Sequence, residues 1–370
     1  MSQFLARIER EIQSAAEPWL RAVSIARRAC YWARVGRFAD ARGSVIEIRA
    51  RFGQGQDARV TIWLMLLEGL IQLYESLAPG AKDRIDRAQF LSLAIRDNEL
   101  IAITSAWKAH IEFETSKYGQ MIESLKTALS HTTNQNYEAN SRIAMIVADL
   151  HYMCGQRSYA QHWFMVSRDH ALAAGDQASI DALLYNRAAF GLAYLRSKRC
   201  IEPLDQQVVA AVGMEVASAK NFQALTQIEA FENCIFLCEA RVLMLANDFA
   251  AAYRALEAVR AKGPFAPYNF SQDLIELELA FCSFKLGMKS SATAHFEKIR
   301  DKQFSELDAD ERLVVQWMRV ELARGDVSFG VEADERSNLA PLVEEYSASM
   351  AKLSSAIEAF RDPPESIRLH

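Results

Sequence analysis

Proline is scarce in this chain of 370 residues: there are eight, and none between Gly80 and Glu202. No Asn-Gly or Asp-Gly pair occurs and alternation with period two is rare, so the sequence lacks the signals of β-hairpins. Apolar residues recur instead at three and four, the helical period. Cysteine is sparse as well: six scattered positions, Cys30, Cys154, Cys200, Cys234, Cys238 and Cys282, exclude a disulfide framework and read as buried, reduced thiols. Long apolar runs are missing; the stretch 62–67 is among the longest, far short of the roughly 20 residues that span a bilayer. The first residues carry a charge every few positions and hold no apolar core of signal-peptide length. These absences lead us to expect a soluble, cytoplasmic, all-α protein without membrane insertion.

Chemical signatures are equally few. The sequence has no Ser-His-Asp elbow, no Gly-x-x-x-x-Gly-Lys phosphate loop and no His-Glu-x-x-His pair, so it gives no ground for an enzyme. Gly53, Gly55 and Ala58 match the spacing of a dinucleotide fingerprint, but they follow one helix and precede another where the motif requires a strand. They read as a loop. Cys234 and Cys238 share a helical face, and His151, Cys154, His162 and His170 add further potential ligands. With no Cys-x-x-Cys pair and no convergent set of four, core packing is the expectation, and neither a metal nor a cofactor is expected. Glu306, Asp308, Asp310 and Glu311 read as first-turn acids complementing the dipole of a helix starting at Ser305.

Net charge is −5, which makes no general case for nucleic acid. The distribution is uneven. Residues 1–60 carry eleven arginines and no lysine against six acids, whereas residues 301–370 carry fifteen acids against eight bases. Arg21, Arg27, Arg28 and Arg34 form a stripe that could face phosphate, but no exposed aromatics are interleaved with it. The oppositely charged ends offer a route to head-to-tail self-association.

What the sequence does have is a long-range period. Gly36, Ser76, Ser116, Gly155, Arg196, Asn247, Gly287 and Gly325 fall near helix ends at gaps of 38 to 41 residues, with one gap of 51 after Arg196. A small residue precedes most of them by seven (Ala29, Gly69, Ala109, Ala148, Ala189, Ala240, Ala280), and alanine follows by five at Ala41, Ala81, Ala160, Ala252 and Ala292. Such a period predicts stacked helix pairs that bury apolar faces only against their neighbours, with small residues where the axes cross. The turns are expected at Asp97-Asn98, Ser116, Thr132-Thr133, Gly155, Gly175-Asp176 and Lys198-Arg199, and at prolines such as Pro79, Pro203, Pro264, Pro267 and Pro341. The long gap predicts an inserted turn or a longer helix pair around 201–225. The organisation expected is an N-terminal capping helix at 1–17, an α-solenoid at 18–330, and a C-terminal capping helix with a loose tail at 331–370.

Ala29, Gly36-Arg37-Phe38 and Ala41 together resemble a tetratricopeptide repeat. So do the copies around Ala148, Gly155, Ala160 and Phe164, around Ala240, Asn247, Phe249 and Ala252, and around Ala280, Gly287, Ala292 and Phe296. The resemblance covers roughly 18–325. The period is near 40 where that family has 34, and the family's repeat-end proline is mostly missing; longer repeats of this kind resemble those of bacterial signalling proteins. The resemblance implies a right-handed α-solenoid of seven to eight antiparallel helix pairs whose first helices line a concave face. On that register the partner-binding candidates are Arg34, Tyr74, His110, Glu114, Arg142, Asp149, Tyr152, Asn186, Tyr194, Arg241 and Lys285, with Phe113, Phe190, Phe281 and Phe284 nearby. The implied function is a non-enzymatic scaffold or adapter holding a protein segment or peptide in the concave groove. The alternatives are a peptide-responsive regulatory receptor and a structural subunit of a larger complex.

Overall fold

In a computed structural model the protein is all-helical, and the residues described are 2–52, 57–76, 80–226, 228, 231–263, 272–325 and 339–369. The helices are α1 (Gln3–Ser14), α2 (Pro18–Arg34), α3 (Phe38–Phe52), α4 (Ala58–Ser76), α5 (Gly80–Ile95), α6 (Asn98–Glu114), α7 (Tyr118–His131), α8 (Tyr137–Met153) and α9 (Arg157–Ala174). They continue with α10 (Gln177–Arg199), α11 (Gln206–Thr226), α12 (Glu232–Leu245), α13 (Phe249–Lys262), α14 (Gln272–Lys285), α15 (Lys289–Glu297), α16 (Ala309–Gly325) and α17 (Leu339–Ala356). The candidate loop residues Gly53 and Gly55, the turn prolines Pro79, Pro264 and Pro267, and positions 331–338 lie outside the described residues. Among the described residues, no helix is long and apolar enough to cross a membrane.

Even-numbered helices from α2 to α14 each pack on the helix that follows, and α2 also meets α4, α6 meets α8, and α8 meets α10. The periodic small residues sit at these contacts. Ala29, Ala109, Ala148, Ala240 and Ala280 are fully buried, as are Ala41, Ala160, Ala252 and Ala292. At Gly69 a Cβ would lie 2.8 Å from Ile85 Cγ1 and 3.3 Å from the Ala81 carbonyl, so α4 and α5 approach as closely as they do only because that side chain is absent. Phe164, Leu256 and Phe296 fill the next layer, each burial contributing about 1.5–3 kcal/mol.

The anchors end helices by one device. Gly36, Gly155 and Gly287 have φ of 83°, 69° and 73°, and Ser116 and Asn247 have 54° and 62°. That left-handed residue lets backbone N–H groups return to the last carbonyls, as Lys117 N does to Glu112 O at 2.7 Å. Arg196 departs from this pattern. It lies inside α10, which runs on to Arg199, and the 51-residue gap is absorbed by two long helices, α10 of 23 residues and α11 of 21. Ser76 and Gly325 are the last residues of α4 and α16.

The chain also returns across itself. Phe4, fully buried, donates its N–H to Gly175 O at 3.2 Å and stacks on Tyr31 at 5.2 Å between centroids. Beyond α17 the expected loose tail is instead seated: Ile357, Phe360 and Ile367 are buried. Trp163 Nε1 donates to Phe360 O at 2.6 Å, His151 Nε2 to the same oxygen at 2.9 Å, and His170 Nε2 to Ile367 O at 2.5 Å. Of the histidines grouped as potential metal ligands, His151 and His170 are thus backbone donors on α8 and α9, while His162 meets the Asp362 carboxylate at 3.2 Å. Among the described residues, no group of three or more His, Cys, Asp or Glu is placed to hold a metal ion.

Candidate functional site

The helix starting at Ser305 is displaced: α16 begins at Ala309, leaving Asp308 just before it and Asp310 and Glu311 in its first turn. This end of α16 packs against α10, while α17 packs on α16 and reaches α7 and α8. Between them lies a cleft of about 670 Å³, walled by Tyr118 at the start of α7, Phe190 and Tyr194 on α10, Asp308 and Asp310, and Tyr346, Met350 and Leu353 on α17. A second hollow of about 230 Å³ shares Phe190, Ala193, Ser197, Asp308 and Asp310 with it and adds Glu114, Asn186, Arg196, Arg241 and Glu311.

Acids gather where the two hollows meet. Ser116 Oγ donates to Asp308 Oδ1 at 3.1 Å, which holds the α6–α7 turn against the loop before α16. Burial and the adjacent charges of Glu311 and Asp308 push Asp310 up to about 6. Glu114 keeps solvent contact on the cleft wall, yet the protein packed around it and then Asp308 push its carboxyl up to about 7. Behind them Asn186 Nδ2 donates to Asp149 Oδ2 at 2.8 Å, and burial holds that carboxyl well above its ordinary range. The neighbouring cations are committed inward: Glu278, wholly buried, accepts from Arg196 Nη2 at 2.7 Å and Arg241 Nε at 2.8 Å through one oxygen. Lys117 and Lys352 border the larger hollow, so the cleft carries both signs, with the acids concentrated towards the smaller hollow.

The candidates read from the sequence divide by position. Glu114, Asn186, Tyr194, Phe190 and Arg241 line the hollows. In the N-terminal half the same register is filled by the protein itself. Arg34 pairs with Asp176 at 2.8 Å, Tyr74 and His110 meet the Trp107 ring edge to face, and Arg142 lies over that ring at 3.9 Å. Phe113 packs edge to face on Phe190, Tyr152 is buried, Phe281 packs on Phe249 and Trp317, and Lys285 pairs with Glu321 at 3.5 Å beside Phe284. Most of the arginine stripe is engaged within the protein as well: Arg27 pairs with Glu11 and Glu138, and Arg28 with Glu9, while Arg21 is exposed.

Sequence reasoning missed Asp308, Asp310, Tyr346 and Met350 as cleft residues. Acids at a helix start have a sufficient local explanation in the dipole, and nothing local marks α17 as the wall of a site built largely from α7 and α10. Arg196, expected near a helix end, lies in the last turn of α10 and lines the smaller hollow. Compared with known proteins, the chain matches no family model and no curated protein.

Proposed function

We propose that this chain is a tetratricopeptide-like, right-handed α-solenoid that serves as a non-enzymatic interaction scaffold, receiving an extended protein segment in the cleft between α7, α10, α16 and α17. The observation that carries this reading is the composition of the cleft walls: Tyr118, Phe190, Tyr194, Tyr346 and Met350 beside Glu114, Asp308, Asp310 and Glu311. Aromatic and methionine side chains supply apolar contact with little loss of freedom. Glu114 and Asp310, whose charged forms are disfavoured by burial and by neighbouring acids, are relieved by an incoming ammonium or guanidinium. The segment favoured is therefore one with a Lys or Arg flanked by aromatic or aliphatic residues. Lys117 and Lys352 at the border give it a polarity, its acidic end lying towards them.

The test uses two fluorescent peptides of equal length and hydrophobicity, one carrying Lys and Arg between Leu and Tyr, the other carrying Glu at those places. Retention of the basic peptide alone, lost in an Asp308→Asn/Asp310→Asn variant, supports the reading. Equal binding of both peptides, or binding untouched by the double substitution, overturns it. A peptide-responsive regulator is the second reading, supported by α17 supplying part of the cleft wall, so that an occupant touches the last helix directly. A drop in radius of gyration on adding the basic peptide distinguishes that regulator from a rigid scaffold.

A further inference from the structure

Away from the cleft, the start of α10 meets α2, α4, α6 and α8 around a small hollow of about 20 Å³. Three guanidinium groups line it, those of Arg27, Arg34 and Arg142, but only two carboxylates, Glu138 and Asp176. Arg27 is paired with Glu138 and, outside the hollow, with Glu11. Asp176 is engaged elsewhere: it accepts from Arg34 Nη2 at 2.8 Å, from Ser179 N at 3.1 Å and from Ser179 Oγ at 2.9 Å. That leaves Arg142, which is 4% exposed, with no hydrogen-bond partner for its Nη1.

Two neighbours soften this position without neutralising it. The ring of Trp107 meets one face of the guanidinium at 3.9 Å, but a ring face leaves the in-plane N–H groups unanswered. Tyr74 stands beside it and supplies a hydroxyl. Asp149, on the same helix, accepts from Asn186, and burial raises its carboxyl well above its ordinary range. His110 is kept neutral by burial and by Arg142 itself. A buried guanidinium with no counter-charge is strongly disfavoured, and proteins resolve it by pairing.

We propose that a single monatomic anion of chloride size occupies this hollow, held by Arg142 and Arg34. The size fits: a hollow of this order takes one water-sized or halide-sized occupant and excludes phosphate and carboxylate ligands. Water would accept from Arg142 but would bring no charge to it; a halide does both. The ion would join α2, α8 and the start of α10 through one contact point, independently of whatever fills the cleft.

The test is a crystal grown in sodium bromide and measured at the bromine absorption edge, together with thermal melts in which chloride replaces gluconate at constant ionic strength. The expected result is an anomalous peak within hydrogen-bond reach of Arg142, and a Tm that rises by a few degrees with chloride. Both effects are lost in Arg142→Met. Density without an anomalous signal identifies water and overturns the proposal, as does a Tm indifferent to chloride or a chloride response that survives in Arg142→Met. Should that variant fail to fold, the bromide signal in the wild-type crystal decides alone.

Discussion

The indole nitrogen of Trp163 lies 2.6 Å from the carbonyl oxygen of Phe360, joining positions 197 residues apart. Trp163 is fully buried, and the same carbonyl also accepts from His151. Replacing Trp163 by Phe keeps most of the ring and deletes one of two donors. We expect a loss of about 1–2 kcal/mol by urea denaturation. Deleting 357–370 uncovers the seats of Ile357, Phe360 and Ile367 and is expected to cost several times more. Equal effects of the two changes would refute this account of the seated segment.

Turn geometry yields a prediction of opposite signs. Arg96 is exposed and holds a φ of 55° after α5, a conformation that costs an ordinary residue roughly 1 kcal/mol. Arg96→Gly is expected to stabilise by about 0.5–1 kcal/mol. Gly155 has φ of 69°, and a Cβ there would fall 2.5 Å from the Tyr194 ring. Gly155→Ala is expected to destabilise by at least about 2 kcal/mol and to shift Tyr194 in the cleft. Chemical denaturation of the two variants checks both signs.

Asp181 is 1% exposed on α10, and burial pushes its carboxyl from 3.8 up to about 7. The folded protein thus keeps a proton that the unfolded chain releases near pH 4. Stability falls as pH rises from about 4 to about 7, by on the order of 3–4 kcal/mol from this group, and is level above. Asp181→Asn removes that dependence. Its Tm should match or fall below wild type at pH 4 and exceed it at pH 8. A constant difference across that range would show that the group does not carry the proton.

Glu114, raised to about 7, gives the cleft its own pH signature. Binding of a cationic segment favours the ionised carboxylate, so affinity for the basic peptide should strengthen as pH rises through about 7 and weaken below it. Glu114→Gln should flatten the profile with little change at pH 6. Fluorescence anisotropy across pH 6 to 8 measures it.

The parts of this molecule legible in the sequence are those encoded locally. Ala29, Gly69 and Ala148 announce crossings because their size matters within one helix pair, and Gly36, Ser116 and Asn247 announce turns because a left-handed residue ends a helix wherever it occurs. The helical class and turns such as those at Gly36, Ser116 and Gly155 follow from such positions. The cleft does not, since Tyr118, Tyr194, Asp310 and Tyr346 belong to segments with no common spacing. The register that picked Arg34, Tyr74 and Arg142 found an inward-facing stripe. It could not reveal that Asp176 and Trp107 already occupy the space in front of them. Nor do Trp163 and His170 carry any mark of the segment they hold.

Helix α9 receives both the first and the last described segments: Phe4 at Gly175 beyond its end, and Phe360 and Ile367 along its length. During synthesis these two seats fill at very different times. Phe4 has already left the ribosome when Gly175 appears, whereas Trp163 must wait for some two hundred further residues before Phe360 arrives. Over that interval the nascent chain displays an indole and an apolar strip with nothing to cover them. The segment around Phe360, made some two hundred residues after Trp163, is the one that takes this surface out of reach of chaperones and of other unfinished chains.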